Sequence, residues 1–166
     1  MTLVAGGARR RTVMRPEQRV GYVVFGVGVG GLVDGFVLHQ LLQWHHLWSS
    51  RTPDDTVRGL ERNTLADGIF HTAMLVVLLV GVVLIVGERA PLGTAVGLTL
   101  VGWGLFHVID QLVFHLALGA HDIREGVANP EVYNWSFFAV GLALFVAGVA
   151  FARSSIREYG QSARSI

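Results

Sequence analysis

The sequence predicts an all-α integral membrane protein: a four-helix bundle, built as a duplicated helical hairpin, with both termini cytoplasmic. Three observations carry this prediction: four apolar stretches long enough to cross a bilayer, an uneven spread of arginine, and a polar spacing that occurs twice.

The apolar stretches run over about 20–44, 64–87, 92–118 and 132–152, and each meets the roughly 20 residues that a helix needs to cross the hydrocarbon layer. They define a transmembrane domain over 20–152, flanked by a basic tail at 1–19 and a second tail at 153–166. Composition agrees, with 52% hydrophobic and only 15% charged residues among 166. The first stretch is too long for a signal-peptide core and contains Asp34, so it reads as a span and not as a cleaved leader. Gly87-Glu88-Arg89-Ala90-Pro91 stops the second span and starts the third, which makes those two an expected antiparallel hairpin.

All 13 basic residues are arginine. Arg9, Arg10, Arg11, Arg15 and Arg19 precede the first span, Arg89 lies in the short linker, and Arg153, Arg157 and Arg164 follow the fourth. Only Arg51, Arg58, Arg62 and Arg124 fall in the other two loops, and the positive-inside bias therefore puts both ends in the cytoplasm. Trp44, Trp48, Tyr133 and Trp135 then lie at the outer boundary, where amphipathic rings prefer to sit. A net charge of +1 gives no electropositive field for nucleic acid, so the lipid bilayer is the expected partner. The absence of cysteine leaves nitrogen and oxygen as the donors for any metal.

The repeated spacing involves the residues that carry chemistry. Asp34, His39 and His45 recur as Asp110, His115 and His121 with the same intervals, and Asn63 and Asn134 open the spans that follow. Such duplication points to parallel repeats about an axis along the membrane normal, with the functional site at their interface. Helical rise places Asp34, His39, Asp67, His71, His107 and Asp110 in one layer of the outer leaflet. His45, His46, His115 and His121 form a second tier nearer the interface; there a histidine such as His45, His46 or His121 is often a solvated polar tip. At 100° per residue Asp34 and His39 diverge by about 140°, so the first helix is expected to present polar groups to more than one neighbour.

A charged side chain in the bilayer centre costs on the order of 2.5–3.5 kcal/mol, so a layer of ionisable groups needs a joint explanation. Three readings compete. Imidazole and carboxylate suit a transition metal (zinc, copper or iron), with Asp34, His39, Asp67, His71, His107, Asp110 and His115 as ligands or their hydrogen-bond partners. Such a centre would serve metal handling or redox or hydrolytic chemistry at the outer surface, reached through the outer histidines, with no catalytic residue assigned. Haem b held between two of His39, His71, His107 and His115 is the second reading. A cofactor-free Asp–His network that fastens the helices or relays protons is the third.

Gly26, Gly28 and Gly31 match the spacing of a dinucleotide fingerprint, but they lie inside an apolar span with no strand before them. Helix packing explains them better, through Gly26 with Gly30 and Gly31 with Gly35. These glycine-rich faces would equally suit a second copy of the chain or another membrane protein.

In the strings VDGFVLHQLLQWHH (33–46), RNTLADGIFH (62–71) and DQLVFHLALGAHDIR (110–124), the sequence resembles a family of small bacterial membrane proteins known as domain of unknown function 2243. The resemblance covers roughly 20–152 and implies four helices in a bacterial inner membrane, without implying an activity.

Overall fold

The computed structural model describes residues 14–87 and 90–164, all of its regular structure being helical. Arg9, Arg10 and Arg11 of the tail and Glu88 and Arg89 of the short linker lie outside the described residues. The helices are α1 (Pro16–Asp34), α2 (Val57–Ile85), α3 (Leu92–Asp110) and α4 (Pro130–Arg164). α1 and α3 each continue into a π-helical segment, Gly35–Leu41 and Gln111–Ala117 respectively. Four segments are long and apolar enough to cross a membrane: Pro16–Leu41, Val57–Ile85, Leu92–Ala117 and Pro130–Glu158.

Local chemistry sets the helix ends. Pro16 occupies the first turn of α1, where its missing N–H costs nothing. Thr56 caps α2 by accepting a hydrogen bond from the Gly59 N–H, so α2 starts well before the apolar run at 64. The first apolar run ends early as a helix because Gln43 takes a left-handed conformation (φ 49°) and reverses the chain. Gly119 makes the same reversal after the third (φ 55°), at no steric cost.

α1 and α3 run parallel through the centre; α2 packs on the outer side of α1 and α4 on that of α3. Among the described residues α2 and α3 make no packing contact, which corrects the expectation that they form a hairpin. The short linker joins them in sequence, but α3 packs on α1 and α4, and α2 packs, among these residues, on α1 and its π segment alone and leaves an apolar surface of the kind that lipid covers. Leu65, Ile69, Leu79 and Val83 of α2 are among the exposed residues. The interior is instead polar and small: His39, Asn63, Asp67 and Thr94 are the largest fully buried side chains.

The two halves of the chain correspond position by position in their elements and contacts. α1 with its π segment repeats as α3 with its own at a shift of 76 residues (16 to 92, 34 to 110, 41 to 117). The outer helices repeat at a shift of 67: a Cβ on Gly28 would run into Leu78 and one on Gly104 into Phe145, while Gly81 faces Phe25 and Gly148 faces Val101. At the centre Gly26 lies against Thr99 and Gly102, and reciprocally Gly102 lies against Val23 and Val27. Such reciprocity is what a two-fold axis between α1 and α3 produces. The shift of 67 makes Asp67, not Asn63, the counterpart of Asn134: Leu47 N–H donates to Asp67 Oδ1 and Ile123 N–H to Asn134 Oδ1, both at 2.8 Å.

Candidate metal centre

The π segments position the first histidine of each half. Their hydrogen bonds run from residue i+5 to i, as in Leu42 N–H to Val37 O (2.8 Å) and Leu118 N–H to Val113 O (2.9 Å). Widening the turn in this way brings residues five apart onto one face. His39 Nε2 accordingly lies 3.4 Å from Asp34 Oδ2, and His115 Nε2 lies 2.9 Å from Asp110 Oδ2. The expected divergence of Asp34 and His39 assumed α-helical geometry and does not survive the switch to π.

The second histidine of each half lies in the loop beyond the reversal, and each is fixed by the other half. His45 Nδ1–H donates to Ile123 O (2.8 Å) and His121 Nδ1–H to Leu47 O (3.0 Å), a pair of bonds exchanged across the axis. The two rings stack with centroids 4.4 Å apart and planes 7° apart. His39 meets His45 at 4.4 Å and His115 meets His121 at 4.3 Å, edge to face. Four imidazoles thus form one packed cluster on the axis.

Hydrogen bonding fixes their tautomers. A carbonyl only accepts, so Nδ1 carries the proton in His45, His121 and also His115, which donates to His121 O at 2.8 Å. His39 Nδ1 is 2.9 Å from Asp67 Oδ1. The ε nitrogens are left facing inward, and His45 Nε2 is buried with no hydrogen-bond partner. Burial pushes His45 down to about 3 and shifts His121 in the same direction. Both are therefore neutral near pH 7, the form that ligates metal. The single donor atoms of His39, His45 and His121 lie within 4.8 Å of one another, as do those of Asp110, His115 and His121. Asp34 Oδ1 is a further buried acceptor with no partner.

Asp67 stands behind the cluster. Fully buried, it accepts from His39 Nδ1 on Oδ1 and from His46 Nδ1 on Oδ2 (2.7 Å), in addition to the Leu47 N–H. A carboxylate on the far nitrogen of a ligating histidine fixes its tautomer and raises its basicity. In the second half Asn134 replaces Asp67 and Asp122 replaces His46, with Asn134 Nδ2 donating to Asp122 Oδ1 at 2.7 Å. The polar pair persists with the carboxylate moved from one partner to the other.

The remaining sequence candidates sit outside the cluster's facing donors. His71 lies against Gly35 and tilts over Phe36 (5.4 Å). His107 stacks on Phe137 with centroids 4.1 Å apart, its Nδ1 buried without a partner. They break the repeat: at their counterpart positions the chain has Phe138 and Gly31. Sequence reasoning did not single out Asn134 as the partner of the Ile123 N–H, or the carbonyls of Leu47 and Ile123; carrying the second shift of 67 through to the outer helices would have found the first.

Two loops close the cluster from the aqueous end, so the outer histidines are covered and do not form an open path. Ser49 Oγ donates to Glu125 Oε1 (2.7 Å), Ser50 N–H to Ala120 O (3.1 Å) and Glu125 N–H to Trp44 O (2.9 Å). Arg124 lies 5.0 Å from the ring centroids of both Trp44 and Tyr133 and donates to the Tyr133 hydroxyl at 2.8 Å. His45 and His121 are only 2% and 3% exposed beneath this cover.

Fold and site together define a multi-pass membrane protein with a polar His/Asp centre on an internal two-fold axis. A family model described as "Predicted membrane protein (DUF2243)" matches residues 21–155, and the chain belongs to that family. Neither a curated protein nor a solved structure matches the chain.

Proposed function

We propose that this protein binds a transition metal (zinc, copper or iron) at the cluster of His39, His45, His115 and His121, with Asp34 and Asp110 as carboxylate ligands, in a bacterial inner membrane. The orientation expected from arginine puts the cluster near the extracytoplasmic face. One observation carries the reading: inward-facing ε nitrogens whose far nitrogens are all held by acceptors, one of them, His45 Nε2, buried without a partner. Metal-ligating histidines make this kind of outer hydrogen bond almost without exception. His115 Nε2 and Asp110 Oδ2 face each other at 2.9 Å, and with Nδ1–H already given to His121 O this contact takes either a second proton on the ring or a metal ion. Packed rings 4.3–4.4 Å apart offer no slot for a porphyrin, which weighs against haem. Donor sets that leave coordination positions for water or substrate suit surface chemistry as well as metal handling.

Purification in mild detergent, followed by elemental analysis and an absorption spectrum, tests the reading. Near-stoichiometric zinc, copper or iron is expected, lost in a His45→Gln variant and retained in His71→Gln. A Soret band would select haem instead. Folded protein that takes up neither metal nor haem would leave the cofactor-free network, with protons in place of metal between imidazole and carboxylate.

A further inference from the structure

We propose that the centre is dinuclear, holding one ion per repeat: Asp34, His39 and His45 bind the first, and Asp110, His115 and His121 the second. The inference rests on the metal reading above and adds its nuclearity and coordination.

Each half supplies one carboxylate and two imidazoles. Two histidines and one carboxylate form a known three-ligand set that leaves coordination positions open. The second half already shows it, with Asp110, His115 and His121 offering donor atoms within 4.8 Å of one another. In the first half His39, His45 and His121 are that close, and Asp34 Oδ2 lies 3.4 Å from His39 Nε2 with Oδ1 unpartnered. His121 belongs to both groupings, yet it has one lone pair to give, because its Nδ1–H is spent on Leu47 O. One imidazole nitrogen ligates one ion, so the repeat assigns His121 to the second half and Asp34 completes the first. The shared reach of His121 also means that the two ions abut. In known two-metal sites, with ions about 3.5–4 Å apart, such a pair stabilises the attacking and leaving oxygens of a displacement, and this is the chemistry that a filled centre would supply.

The probe is cobalt(II) or copper(II) alone, loaded into chelator-stripped protein in detergent and counted by elemental analysis after gel filtration. Wild type is expected to hold two ions per chain, and His39→Gln and His115→Gln one each. Copper-loaded wild type is expected to show spin coupling between neighbouring ions in its electron paramagnetic resonance spectrum. One ion in wild type, abolished by either substitution, would overturn the dinuclear assignment while leaving the metal reading intact. Two ions without spin coupling, or two ions that neither substitution reduces to one, would overturn it as well. Folded wild type with no ion at all would remove the metal reading itself. Should both variants fail to fold, the count and coupling in wild type still decide.

Discussion

Asp67 and His46 offer a test of the internal repeat that does not depend on any metal. Their counterparts, Asn134 and Asp122, form the same buried link with the carboxylate on the other partner. Asp67→Asn puts an amide N–H where His46 Nδ1–H now donates, and removes the charge from a group that accepts three hydrogen bonds at zero exposure. A hydrogen bond to a charged group contributes about 1.5–3 kcal/mol, so losing one and weakening the other two should destabilise by roughly 2–3 kcal/mol. His46→Asp alone sets two carboxylates against each other in a buried position and should cost at least about 2 kcal/mol. Combined, the two substitutions recreate the pattern of the second half, with the amide introduced at position 67 donating to the carboxylate introduced at position 46. The double variant should therefore cost about 2 kcal/mol or less instead of the sum of about 4–5, a coupling near the upper end of that seen between contacting residues. Reversible unfolding of chelator-treated protein in mixed micelles measures all four corners of the cycle. Additive costs would refute the correspondence between the two pairs. Metal affinity should not recover with stability, because His39 no longer has a carboxylate behind it; a deficit of about 10–100-fold is expected to persist.

Other consequences can be tested separately. Gly26→Leu and Gly102→Leu each force side-chain atoms into the backbone of the facing central helix and should destabilise by about 3 kcal/mol or more, while Gly68→Ala, with open space around it, should be neutral or slightly stabilising by the same unfolding assay. Gln43→Gly relieves a left-handed residue that its counterpart Gly119 already avoids, and should raise the melting temperature by an amount equivalent to about 1 kcal/mol or less. Glu125 is raised above its ordinary value, chiefly by burial. Its ionisation therefore opposes folding, and stability should fall as pH rises from about 4.5 through the raised value. Glu125→Gln keeps an acceptor for Ser49 and should be more stable than wild type at pH 8, with the difference gone at pH 4; melting curves at the two values would show it.

Much of this architecture is legible in the sequence because lipid imposes a simple length requirement and because duplicated spacing survives translation into three dimensions. Asp34, His39 and His45 recur as Asp110, His115 and His121, and the structure brings the two sets together on one axis. What the sequence hides is helix type. Periodicity of 3.6 residues separates Asp34 from His39, whereas the π segment beginning at Gly35 brings them together. His45 and His121 looked like solvated tips because they sit at the edge of the apolar runs; the two loops bury them. His71 and His107 share the depth of the cluster but not its direction, and depth is all that counting residues from an anchor can give.

Among the described residues every helix–helix interface lies either within a half or between α1 and α3. Opening the chain between α2 and α3 would leave two polypeptides of two helices each, still held together through α1 and α3. The polar centre is therefore held between two equivalent two-helix units, each supplying one side of the shared axis. Because the two units are written separately in one chain, they are free to differ, as they do where the carboxylate is Asp67 on one side and Asp122 on the other.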